Sequence, residues 1–292
     1  MANVDTSIQP LTTGAAAKLA DAHKADHPLK LYGGWFCPFV QRAWIVLVEK
    51  SIPHQYIEIN PYNKAPSFLA LNPRGLVPTL AVPTAAGDSG PGQKRKRDEG
   101  RELKPLYEST VICEYLDDAY PDSGPRLLPA GDAYERARCR LWIDHIGSRV
   151  VPAFYKLLQH TPDKAYSLAE AREQLHGHLK AFAREMEPEG GPWFLGDQFS
   201  LVDVMLAPWA KRLFLIDHYK EGGVGIPAKG QRGDDEEVWA RWERWAEAVG
   251  ERESVKQTWS DEEKYIEAYK RYADDTTQSE VAKATRQGGK LP

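Results

Sequence analysis

An α/β domain with a mixed sheet, followed by an all-α domain, is the fold class this sequence predicts. Two observations predict the division. In the first half, short strand signals at 29–32, 54–59 and 76–82 alternate with stretches of helical spacing, and the half closes with two neighbouring strands and a helix. From Asp132 onward the strand signals disappear and long helical patterns take over. The 292 residues, 42% hydrophobic and 27% charged, suffice for one large domain or two ordinary ones.

The first 28 residues read as a polar, Ala-rich leader. The run 29–32 ends in Gly33-Gly34 and meets Trp35-Phe36-Cys37-Pro38, which is the signature of a strand, a turn and a helix start. From Pro38 to Lys50, Val40, Ala43, Trp44, Leu47 and Val48 fall on one helical face, and Pro53 closes the pattern. A second strand fits 54–59 and a short helix 66–71. Asn72-Pro73-Arg74-Gly75 then turns the chain into 76–82, an apolar strand interrupted by Pro78. Proline cannot donate to a central ladder, so this strand implies an edge, a bulge or a cis peptide bond. Residues 83–105 are rich in Gly and charge and lack periodicity, which predicts an exposed loop. Its Lys94-Arg95-Lys96-Arg97 run is followed at once by acids and reads as solvated. Leu106-Tyr107 resumes an apolar run, and Glu108-Ser109 precedes a helix carrying Val111, Ile112, Tyr115, Leu116 and Ala119.

In the second half, helices are expected over 134–150 and 167–186. Phe199-Ser200-Leu201-Val202-Asp203-Val204 makes a capping box with a hydrophobic staple, so a buried helix should start there. A further amphipathic helix over 238–249 carries Trp239, Trp242 and Trp245 at three-residue spacing, expected in the core, and 261–273 completes the helical domain. The segment 274–292 reads as a polar, mobile tail. The expected organisation is thus a leader over 1–28, an α/β domain over 29–128 with 83–105 as a loop insertion, a helical domain over 129–273, and the tail.

A net charge of −4 offers no general electrostatic reason to expect nucleic acid or an anionic membrane as partner. No signal-peptide core and no stretch of about 18 apolar residues is present, so membrane spanning and secretion are not expected. Three cysteines, Cys37, Cys113 and Cys139, are too few and too odd for a disulfide framework and point to a reducing, cytoplasmic home.

One of the three stands in a special place. Pro38 suits the first helical position, which puts Cys37 at the N-cap. Unpaired amides and the helix dipole favour an anion there, so the thiol is expected below the free value of about 8.5. In Cys37-Pro38-Phe39-Val40, valine occupies the place where dithiol oxidoreductases of this layout carry their second cysteine. A mixed disulfide at Cys37 would then be resolved by an external thiol, for which a small abundant thiol is the natural candidate. Cys113 and Cys139 lie inside helical patterns and read as structural.

Four motifs together resemble the glutathione transferases, and among them the omega class most closely: Trp35-Phe36-Cys37-Pro38-Phe39-Val40-Gln41-Arg42, Asn72-Pro73-Arg74-Gly75-Leu76-Val77-Pro78, Tyr107-Glu108-Ser109-Thr110-Val111-Ile112-Cys113-Glu114-Tyr115-Leu116, and the Ser200 capping box. The resemblance implies a thioredoxin-like domain followed by a helical one. It implies that Cys37 forms a mixed disulfide with glutathione, the co-substrate, with no metal involved. Val77 would pair its backbone with the tripeptide, and Pro78 would be a cis proline. Glu108 and Ser109 would hold the γ-glutamyl end, Lys64 would face the glycine carboxylate, and Phe39 would line the site. The chemistry agrees, since Glu108 can take an ammonium and Ser109, at a helix N-terminus, can present its hydroxyl and amides to a carboxylate.

The activity so implied is that of a thioltransferase, with dehydroascorbate reduction, deglutathionylation of conjugates and a role in detoxification as companions, in a homodimer. The second substrate would be a disulfide or a small hydrophobic molecule. Arg138, Trp142, His145 and Trp209 are candidates to line its pocket. The alternative enzyme is a glutathionyl-hydroquinone reductase, which typically carries tryptophan where Phe39 stands. The alternative of another class is a non-catalytic glutathione-binding or chloride channel-like regulatory protein. Two departures from the family pattern are the long 83–105 loop and the extension beyond the helical domain.

Overall fold

A computed structural model describes residues 10–60, 63–83 and 103–289. The chain divides into two compact units, Met1–Gly124 with Gln257–Ser260, and Pro125–Lys256 with Asp261–Pro292. Most of the 83–105 insertion, including the Lys94 to Arg97 run, lies outside the described residues.

The first unit begins with α1 (Gly14–Ala22), in the segment read as a leader. Alanine favours helix, and this one is fastened by its own start: Ala16 is buried, its N–H donates to Trp259 O at 3.0 Å, and Thr13 N–H donates to Ser260 Oγ at 3.2 Å. The 257–260 segment belongs to this unit through those bonds and through Gln41 Nε2, which donates to Thr258 Oγ1 at 3.2 Å.

Next come β1 (Lys30–Gly33), α2 (Pro38–Glu49), β2 (Gln55–Glu58), α3 (Pro66–Leu71), β3 (Thr79–Pro83), β4 (Leu103–Tyr107) and α4 (Ser109–Ala119). The sheet order is β2-β1-β3-β4, with β1 parallel to β2 and both β1 and β4 antiparallel to β3. Helix α2 is the crossover that a parallel pair requires. It buries Val40, Ala43, Trp44 and Leu47, and Trp44 stacks on Tyr56 of β2 with ring centroids 4.2 Å apart. At its end Lys50 pairs with Asp117 of α4 at 3.2 Å, both fully buried.

The strand expected over 76–82 starts only at Thr79, because the Val77–Pro78 bond is cis and the ladder begins after it. Strand β4 in turn starts at Leu103, inside the segment expected to be loop to 105, because pairing with β3 recruits Leu103, Lys104 and Pro105 opposite Pro83, Val82 and Ala81. Proline fits there because β4 is the sheet edge.

The second unit is helical: α5 (Ala133–His145), α6 (Val151–Leu158), α7 (Leu168–Glu185), α8 (Leu201–Ala210), α9 (Phe214–Tyr219), α10 (Glu236–Glu251), α11 (Glu253–Gln257), which runs into the segment assigned to the first unit, α12 (Glu262–Ala273) and α13 (Glu280–Gln287). A π turn, Ile146–Val150, joins α5 to α6. Pro152 cannot donate to the carbonyl four residues back, which loosens the ladder there. The Ser200 box is formed: Asp203, fully buried, accepts from Ser200 N–H (2.8 Å), Ser200 Oγ (2.7 Å), Phe194 N–H (2.9 Å) and Trp245 Nε1 (2.8 Å). Burial pushes its carboxyl upward, and four donors oppose that. Trp239, Trp242 and Trp245 are buried, in keeping with their spacing. The segment read as a tail carries α13, capped by Ser279 and pinned through buried Ala282 and an Arg286–Asp275 ion pair at 2.9 Å. Among the described residues no helix is long and apolar enough to cross a membrane.

Candidate active site

Sheet register brings the chemistry to one end of the first unit. Tyr32 of β1 lies opposite Thr79 of β3, and Thr79 lies opposite Tyr107 of β4. The chain therefore leaves β1 toward Cys37, enters β3 from Val77-Pro78 and leaves β4 into Glu108-Ser109 at the same edge.

Cys37 is the N-cap of α2, in extended backbone with φ −78° and ψ 118°, and Pro38 opens the helix. Cys37 N–H donates to Gly34 O at 2.9 Å, and Cys37 O accepts the first helical bond from Gln41 N–H at 3.1 Å. The turn needs glycine at 33, where a Cβ would come within 2.4 Å of Val40 Cγ1. Cys37 is in no disulfide and is half-buried, whereas Cys113 and Cys139, also in no disulfide, are buried. Burial pushes Cys113 up to about 12 and Cys139 up to about 11. Neither supplies a thiolate near neutrality.

The loop before β3 is held by buried Asn72, whose Nδ2 donates to Thr79 Oγ1 at 2.9 Å and to Leu76 O at 3.3 Å. Gly75 has φ +62°, and a Cβ there would meet Lys64 Nζ at 3.1 Å and Lys64 Cδ at 3.2 Å. Lys64 thus lies against Gly75 of this loop, which leads into the cis Val77–Pro78 bond.

Glu108 adopts φ 68° and ψ 112°, a region that costs a non-glycine residue about 1–3 kcal/mol. Its carboxylate pairs with Arg74 Nη1 at 2.8 Å in an exposed ion pair, and the Arg74 guanidinium lies 5.2 Å from the Tyr107 ring centroid. Ser109, the first residue of α4, is buried and accepts from Arg42 Nη1 at 3.1 Å. Arg42, itself buried on α2, sits 5.3 Å from the Phe39 ring centroid. Phe39, Arg42 and Ser109 thus connect the cysteine-bearing helix to the start of α4.

Three residues here are not marked by the sequence patterns as site residues. Arg42 and Arg74 stand inside the quoted motifs without an assigned role. Glu58 accepts from Trp35 N–H at 2.8 Å and from Tyr56 Oη at 2.9 Å, and only the alternation of β2 hints at its direction. In the second unit, Trp209 is 1% exposed and belongs to the core rather than to a pocket wall, because α8 is buried on every side along most of its length. Trp142 is half-buried against His145, Phe182 and Phe194, and Arg138 is engaged by Glu135 and Glu185. Among the described residues no group of acids, histidines and cysteines is placed to hold a metal ion.

A helix-start cysteine and a cis-proline loop at one end of a four-stranded mixed sheet, in a chain that continues into a helical unit, define a protein with a thioredoxin-like first unit. The chain belongs to the glutathione S-transferase family. Residues 36–119 match the description "Glutathione S-transferase, N-terminal domain" and residues 165–248 match "Glutathione S-transferase, C-terminal domain". The chain is similar to glutathione S-transferase omega-1 of Sus scrofa, 33% identical over 65% of this chain and 68% of the relative. It is similar as well to pyrimidodiazepine synthase of Drosophila melanogaster, 33% identical over 72% of this chain and 70% of the relative. Among solved structures it resembles glutathione transferase Omega 3C of Trametes versicolor, with TM-score 0.70, 38% identity, and coverage of 87% of this chain and 99% of the other.

Proposed function

We propose that this protein is a glutathione-dependent thioltransferase of the omega type, with Cys37 as the residue that carries the mixed disulfide. The observation that carries the reading is the contrast among its thiols: Cys37 is half-buried at a helix start, while Cys113 and Cys139 are buried and pushed up. In this reading Val77, before the cis Pro78, pairs its backbone with glutathione, and Lys64 attracts the glycine carboxylate. Glu108 takes the γ-glutamyl ammonium, Ser109 takes its carboxylate, and Phe39 lines the site.

The Cys37 thiolate attacks the glutathionyl sulfur of a mixed disulfide, and the displaced thiolate leaves and takes a proton. The thiolate of a second glutathione then attacks the glutathionyl sulfur of the resulting Cys37 adduct, which breaks the bond to Cys37, releases glutathione disulfide and restores the Cys37 thiolate. Val40, at the place of a second cysteine, is buried and has no thiol to give, so glutathione performs the second step. Dehydroascorbate reduction and deglutathionylation of hydrophobic conjugates follow from the same thiol chemistry, in a cytoplasmic homodimer.

The test is mass spectrometry after exposure to glutathione disulfide, paired with a hydroxyethyl disulfide assay. One glutathionyl adduct is expected at Cys37 and none at Cys113 or Cys139, and Cys37→Ser should abolish turnover. Full activity in Cys37→Ser would overturn the proposal.

A further inference from the structure

Glu58 ends β2, in register with Gly33 of β1. Tyr56 and Glu58 project from the same face of the strand, and Tyr56 stacks on Trp44 of α2, so Glu58 is turned toward that helix too. Its Oε2 accepts from the Tyr56 hydroxyl at 2.9 Å, and its Oε1 accepts from the backbone N–H of Trp35 at 2.8 Å. Trp35 is itself buried and lies in the middle of the turn that delivers Cys37. A half-buried acid is costly to carry, and this one spends both oxygens on the turn and on the tyrosine beneath it. None of the glutathione contacts proposed above uses it.

We propose that Glu58 is a positioning residue: its carboxylate holds the 33–37 turn through the Trp35 amide and so sets the reactivity of the Cys37 thiol. The inference rests on Cys37 being the reacting thiol. Among the described residues the titratable and charged groups around Glu58 are few. On its own strand the Tyr56 phenol faces it. On β1 its partner Gly33 has no side chain, and Lys30, at the far end, is engaged by Gln55 and Asp26. Helix α2 contributes the Trp44 ring against Tyr56, and the carboxylate's link to Cys37, the N-cap of that helix, runs through the Trp35 amide.

Burial pushes the Glu58 carboxyl up to about 7, against the opposing pull of its two hydrogen bonds. Its protonation state therefore changes in the working range of a thiol enzyme. Ionised, it offers Trp35 a charge-assisted bond. Protonated, it can give its proton to the Tyr56 oxygen and keeps only a neutral acceptor for the amide. The hold on the turn is then weaker, and Cys37 reactivity should change about fivefold across that titration, the difference between a charged and a neutral acceptor.

The experiment measures the second-order rate of Cys37 alkylation by iodoacetamide from pH 5 to 9 without glutathione, in the full chain and in Glu58→Gln and Glu58→Leu. The unaltered chain should show an inflection near 7 besides that of the thiol itself. Glu58→Gln, which keeps the shape and an acceptor for Trp35, should lose that inflection alone. Glu58→Leu should alter the rate across the whole range. A Glu58→Gln profile that superimposes on that of the unaltered chain would overturn the inference, whatever Glu58→Leu does. Because the reagent replaces glutathione, a chain that shows the inflection yet fails on hydroxyethyl disulfide would defeat the thioltransferase proposal and leave the role of Glu58 standing.

Discussion

Arg42 of α2 donates to the hydroxyl of Ser109 at the start of α4, 3.1 Å away, with both residues buried. The helix that begins at Cys37 and the helix that begins at Ser109 are thereby joined one turn inside the candidate site. Ser109→Ala removes an acceptor from a buried guanidinium, and the expected cost is about 1–3 kcal/mol of stability. The same variant should raise the KM for glutathione. Urea denaturation and steady-state kinetics on one preparation read both effects; a variant as stable as the parent would show the bond to be dispensable.

Glu108 holds a backbone conformation that glycine adopts without cost. Glu108→Gly should therefore preserve stability or raise it by about 1 kcal/mol, while the KM for glutathione rises about tenfold with loss of the carboxylate. Such opposite movements are the mark of strain kept for binding. A fall in both stability and affinity would argue against it.

Lys50 and Asp117 form a pair from which water is excluded. Removing one partner, as in Asp117→Ala, should cost about 3–5 kcal/mol, whereas Lys50→Met with Asp117→Leu should come close to neutral. Denaturant midpoints of the two single variants and the double variant complete the cycle, and additive losses would show that the pair is not coupled.

His54, buried, and Glu58, half-buried, give opposite pH dependences. Burial lowers His54 from 6.5 to about 4, so between those values the unfolded chain takes a proton that the fold refuses. Stability should fall as pH drops through that window, by about 3 kcal/mol in all, and His54→Asn should flatten the slope. Glu58 works the other way. Its raised value means that the fold keeps a proton which the unfolded chain gives up above 4.5, so its contribution declines as pH rises toward 7. Glu58→Gln should gain on the parent between pH 5 and pH 8 in thermal melts.

The local elements are legible in the amino-acid order. The Gly-Gly turn, Pro38 and the apolar face of 38–50 define α2 and place Cys37 at its cap; the Ser200 box starts α8; the tryptophan spacing of α10 marks a buried face. Each depends on residues within a few positions of one another, where steric and hydrogen-bonding rules act without reference to the rest of the fold. Contacts between distant residues arise only in the folded chain. Strand β4 begins at Leu103 because β3 is there to pair with it, and α1 is fastened by Ser260, 247 residues away from Thr13. Glu58 reaches the Trp35 amide only because β2 lies beside β1, and Arg42 finds Ser109 only because α2 lies against α4. Short-range pattern alone dictates where a helix-start cysteine stands. Which groups surround and hold it follows from strand register and helix packing, whose partners no local spacing encodes.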